Sequence, residues 1–130
     1  MKHTTRESQV QQFRQTAGKG SIKQTPGDIG SIFRGIEEEY AEFLEAAKDY
    51  VAQKHDEDDL EKRAHLVKEW ADLAYVVSQA AVFFEIPADA AFNRVHNNNM
   101  TKVVEGKVLL REDGKILKPK GYVPCNMAGL

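Results

Sequence analysis

The run from Leu66 to Phe84 constrains this chain most, because almost every residue in it is apolar, whichever side of a helical wheel it falls on. A helix of that kind belongs at the centre of a fold. Its most apolar part, Trp70 to Phe84, is short for a membrane span and contains Asp72. The same run carries Glu69 and Asp72, three residues apart and so on one face. A carboxylate in such a place is costly unless it is protonated or faces a cation. Lys68, Arg34 and Arg94 are the candidate partners for one of them, but two acids on one face ask for more than one such partner. The other solution is a metal ion.

A second acidic pair precedes it. The pattern predicts a helix over about Ile32–Lys54, with Ser31 as its cap and a stripe formed by Ile32, Phe33, Ile36, Tyr40, Phe43, Leu44, Ala47 and Val51. Glu38, Glu45 and Asp49 point away from that stripe and read as a solvated face. Glu39 lies at its edge, and Glu42 follows one turn later on the same side. Two such pairs on neighbouring helices would make an all-oxygen site, which suits Mg²⁺ or Mn²⁺. Zinc would call for histidine or cysteine, and none is suitably placed. A di-iron bundle also uses carboxylates on packed helices, but its Glu-x-x-His pairs are absent. His55-Asp56 resembles a metal-binding dipeptide and falls in the charged turn KHDEDD, where it reads as coincidence.

The remaining elements are shorter. A first helix is expected over about Thr4–Gln15, with Val10 and Phe13 at i, i+3 spacing. The glycine-rich stretch Ala17–Gly30 is expected to be a loop. The apolar helix is expected over Leu60–Glu85, ending before Pro87, and a fourth over Asp89–Lys102. Asp113-Gly114, between Lys107–Leu110 and Ile116-Leu117, predicts a small hairpin or extended arms. The expected fold is all-α: one domain over residues 1–130, a four-helix bundle with a short extended C-terminal arm, completed by oligomerisation.

The 18 basic and 20 acidic side chains nearly cancel, which argues against a general nucleic-acid binder. The polar N-terminus has no apolar targeting segment, and the single cysteine, Cys125, points to a reducing compartment, so a cytoplasmic location is expected.

The inner line of the fourth helix, Ala88, Phe92 and Val95, turns polar at Asn99 and Lys102, with His96 nearby. Two readings stand: the helix frays into solvent, or Asn99 and Lys102 reach an anion. An inward ammonium should have an anionic partner, either phosphate or a carboxylate of the bundle.

Glu38-Glu39-x-x-Glu42, followed after 26 residues by Glu69-x-x-Asp72, resembles the EExxE…ExxD signature of the all-α nucleoside triphosphate pyrophosphatases. VHNNNMTK…REDGKILKPKGYVP resembles their small MazG-like branch, often labelled phosphoribosyl-ATP pyrophosphohydrolase-like. QVQQF…TPGDIG and FRGIEEEYAEF fit as well, so the resemblance covers nearly the whole chain. It implies Mg²⁺-dependent hydrolysis of an NTP or dNTP to monophosphate and pyrophosphate, by a homodimer or dimer of dimers, with Mn²⁺ able to substitute. It implies Glu39, Glu42, Glu69 and Asp72 as metal ligands, and Glu38 as a further ligand or the group that orients the attacking water. His96, Asn99, Lys102, Lys118 and Tyr122 would contact substrate. Base and sugar stay open, a purine dNTP such as dGTP among them. A phosphoribosyl-ATP enzyme and a non-catalytic helical module are the alternatives.

Overall fold

A computed structural model describes residues 5–53 and 60–130; the KHDEDD turn and His55-Asp56 lie outside these residues. Among the described residues four α-helices form: α1 (Arg6–Thr16), α2 (Ile29–Ala52), α3 (Leu60–Phe83) and α4 (Ala88–Met100). Among the described residues there is no strand, only two isolated bridges, so the fold is all-α as expected. The chain divides into two compact units, Met1–Glu85 and Ile86–Leu130.

In the first unit, α1 begins where the Thr5 hydroxyl accepts from Ser8 N–H at 3.1 Å. It ends in a Schellman turn. Gly18 N–H donates to Gln15 O, Lys19 N–H donates to Arg14 O, and Gly18 takes the left-handed conformation the turn requires (φ 74°). Val10 is buried, but its expected partner Phe13 is 56% exposed and meets Tyr75 edge-on at 5.9 Å. The inward position belongs to Arg14, only 2% exposed.

Ser31 does not cap α2. A 3-10 turn over Pro26–Asp28 runs straight into the helix three residues early. Asp28 holds the cap position without capping; its carboxylate faces Arg14 at 3.6 Å instead. The loop before it is pinned near its middle, by Arg14 Nη2 to Gly20 O (2.8 Å) and by Ile22 N–H to Phe83 O (2.8 Å).

α3 packs against both α1 and α2, so it is central to this unit. α2 and α3 run antiparallel: Gly35 faces Val76, and Arg63 lies over the Tyr50 ring. Ile32 and Ala46 of α2 and Ala81 and Phe83 of α3 are buried. The bundle does not cover α3 fully: Val67, Trp70 and Val77 are half exposed. α3 stops two residues earlier than expected, and Glu85 turns left-handed (φ 56°) just before Ile86-Pro87.

In the second unit α4 spans Ala88–Met100, so Lys102 falls just beyond it. The arm makes two tight turns. Val104 bridges Lys107 around Glu105-Gly106, and Leu110 bridges Ile116 around the expected Asp113-Gly114. The Asp113 carboxylate holds the second turn by accepting from Lys115 N–H and from the Arg111 guanidinium. Arg111 beside it lowers the Asp113 pKa. The tail is strapped back onto α4. Arg94 donates to Asn126 O and Ala128 O, while Asn98 donates to Val123 O and accepts from the Tyr122 hydroxyl at 2.6 Å.

Candidate metal centre

The antiparallel seam of α2 and α3 brings acids from two helices together. Carboxylate oxygens of Glu39, Glu69 and Asp72 all lie within 4.8 Å of one another. Glu69 is 5% exposed, and Glu39 and Asp72 are half-buried. Helical spacing puts Glu69 and Asp72 on one face of α3, and the register of the seam sets Glu39 against them. Glu42 lies outside the three-oxygen group, but its charge is close enough to Glu39 to act on it. Glu38 is exposed, one residue before Glu39.

The electrostatics of the group are unfavourable without a cation. Burial pushes the Glu39 pKa up, and the charges of Glu42, Asp72 and Glu69 push it further. Lys68, one of the three cations considered from the sequence, does reach the cluster, at 2.8 Å from Asp72 Oδ2 and 3.7 Å from Glu69 Oε1. The bond and charge of Asp72 raise its pKa. His65 Nδ1 stands 3.8 Å from Glu69 Oε1, a contact that the His65-x-x-x-Glu69 spacing would have revealed. Arg94 is spent on the tail carbonyls.

Lys68 does not satisfy the group. Its side chain is 67% exposed, so solvent screens the pair. Glu39 Oε2 and Glu69 Oε2 are both buried without a hydrogen-bond partner. Buried carboxylate oxygens without a donor are what a hard divalent cation would satisfy, and the all-oxygen donor set suits one. The residues present therefore fit a divalent ion.

The expected substrate contacts all lie in the second unit. Lys102 Nζ donates to Asn99 Oδ1 at 3.1 Å, and both Lys102 and Lys118 lie over the Tyr122 ring, at 5.7 and 5.5 Å from its centre. His96 is exposed on α4. Among the described residues Lys102 meets no carboxylate of the bundle: its partners are a neutral amide and a ring. The expected inner line of α4 is not buried, with Phe92 73% exposed, so an unpaired charge at Lys102 is not costly there.

An all-α chain whose two antiparallel helices converge three carboxylates on one point, with two oxygens unsatisfied, has the makings of a metal-dependent hydrolase. A family model described as phosphoribosyl-ATP pyrophosphohydrolase matches residues 7–99. The chain belongs to that family, within the MazG-like all-α NTP pyrophosphatases, and is a nucleotide pyrophosphohydrolase. No curated protein matches it. The matched region runs from α1 through Asn99 and leaves the arm outside.

Proposed function

We propose that the chain is a Mg²⁺-dependent pyrophosphohydrolase of nucleoside or deoxynucleoside triphosphates, acting in the cytoplasm. The observation that carries this is the convergence of Glu39, Glu69 and Asp72 around two buried, unpartnered carboxylate oxygens. These three, with Glu42 beside Glu39, would hold the ion. When bound, it neutralises phosphate charge and lowers the pKa of a coordinated water. Glu38 orients the attacking water, and cleavage of the α–β anhydride releases pyrophosphate. Lys102 and Lys118, with Lys115, neutralise the leaving group, while His96, Asn99 and Tyr122 contact the substrate.

Because the matching model is described by phosphoribosyl-ATP, that nucleotide is the second reading. The assay is pyrophosphate release from each canonical NTP and dNTP, and from phosphoribosyl-ATP, with Mg²⁺ and with chelator. The proposal expects Mg²⁺-dependent, equimolar monophosphate and pyrophosphate from at least one NTP or dNTP. Turnover of phosphoribosyl-ATP alone would favour the second reading.

Lys102→Met is expected to raise KM or lower kcat and leave the melting temperature of the nucleotide-free protein nearly unchanged, because no carboxylate among the described residues depends on it. A large loss of stability with normal kinetics would make Lys102 structural.

The chain is further proposed to work as a homodimer or dimer of dimers. Supporting this, Phe33, Tyr40, Val67, Trp70 and Val77 are about half exposed. An apolar groove of about 490 Å³ between α2 and α3 is lined by Phe43, Tyr50, Leu66, Val67 and Trp70. Monomeric soluble proteins seldom leave so much apolar surface open, and two-fold pairing is the usual way to cover it. Sedimentation should show a dimer or tetramer at micromolar concentration; a stable monomer would refute it.

A further inference from the structure

A cavity of about 280 Å³ lies among α1, α2 and α3, with Arg14, Lys19, Ser31, Val76 and Gln79 in its lining. It sits one helical turn along the seam from the acid cluster on both helices. Gly35 at its edge precedes Glu39 by four residues, and Val76 follows Asp72 by four. The offset is roughly 6 Å, the rise of four helical residues. A pentose spans about such a gap between an α-phosphate and its base.

The polar lining is rich in donors. Arg14 Nη1 donates to Gln79 Oε1 at 3.2 Å, which consumes the amide's acceptor and fixes its orientation. Gln79 Nε2 is left as a donor. Arg14 is 2% exposed, and its Nε is buried without a partner. Lys19 and Ser31 add an ammonium and a hydroxyl. A base that carries a ring carbonyl offers these groups an acceptor: O6 in guanine, O4 in uracil or thymine. Adenine offers an amino group in the place of that carbonyl, and the Gln79 amide and Lys19 ammonium would then meet a donor with a donor.

We propose that this cavity is the base pocket of the pyrophosphohydrolase, and that Gln79 and Lys19 make it select an oxo-base over adenine. The inference rests on the pyrophosphohydrolase reading and adds the class of substrate to it. It follows from the donor surplus and from the position of the cavity beside the carboxylates. Gln79→Glu presents acceptors in place of the amide donor and keeps the contact to Arg14, so the fold should survive. Lys19→Met alters an exposed side chain and serves as a second probe.

The test is kcat/KM for pyrophosphate release from dGTP, dTTP and dATP by the wild-type protein and both variants, each checked by circular dichroism. The wild type should favour dGTP or dTTP over dATP by about tenfold or more, and whichever leads identifies the base. Gln79→Glu should erase most of that preference, chiefly through KM, and Lys19→Met should reduce it. Wild-type preference for dATP, turnover of phosphoribosyl-ATP alone, or an unchanged preference in both folded variants would overturn the inference and leave the pyrophosphohydrolase reading in place. Release from no nucleotide at all would overturn both.

Discussion

Asp72→Asn should abolish pyrophosphate release, by roughly a thousandfold or more, and leave the helical content unchanged. Glu69→Gln and Glu39→Gln should do the same. Each removes a charged oxygen from a group whose members lie within 4.8 Å of one another. The effect on stability should have the opposite sign for Glu39. Its carboxylate is partly desolvated, its Oε2 has no donor, and Glu42, Asp72 and Glu69 surround it with like charge. The metal-free Glu39→Gln protein should therefore melt no lower than the metal-free wild type, and by this reasoning a few degrees higher. Function holds these acids together against their repulsion. Glu42→Gln should also abolish turnover, since Glu42 is a further acid whose charge acts on Glu39 beside the cluster. Retained activity in Asp72→Asn or Glu42→Gln would remove the site as drawn. A Glu39→Gln protein that is inactive because it unfolds would show that the acids are structural.

The largest loss of stability should come from Arg14, which has no part in the acid cluster. Its guanidinium donates to Gly20 O and Gln79 Oε1, faces Asp28 at 3.6 Å, and lies over the Phe83 ring at 5.7 Å from the centre. It thereby ties α1, the following loop and the end of α3 together. Arg14→Met keeps the apolar stem and strands the Asp28 carboxylate and the Gly20 carbonyl. Breaking a buried charged contact from one side costs about 3–5 kcal/mol. In a chain of this size that lowers Tm on the order of 10 °C. Lys at this position should rescue little, because an ammonium cannot make the same forked contacts. Thermal unfolding of the purified variant checks this, and a Tm within about 2 °C of the wild type would contradict it.

What the sequence could reveal depended on how local the cause was. The four helices and the three clustered acids were legible because both follow from spacing within single helices. Apolar periodicity marks the helices, and Glu69 and Asp72 stand out as acids in an otherwise apolar run. Glu39 was separable from its acidic neighbours by its place at the edge of the stripe. The features missed depend on contacts distant in sequence or on backbone turns. Nothing near Arg14 says that it is buried, since its partners are Asp28, Gln79 and Phe83. Ser31 looked like a cap because serine before an apolar run usually is one; the 3-10 turn at Pro26–Asp28 started the helix earlier. The Asn98–Tyr122 bond that straps the tail joins residues 24 apart, and no periodic pattern announces it.

The central claim is that the α2–α3 carboxylates hold a divalent cation. Calorimetric titration of metal-stripped protein with Mn²⁺ tests it most directly, because it needs no substrate and no assumption about the base. Saturable binding is expected in the wild type, with Mg²⁺ as a competitor. It should be lost or greatly weakened in folded Glu39→Gln, Glu69→Gln and Asp72→Asn variants. Undiminished Mn²⁺ binding in those three variants, or none in the wild type, would contradict it.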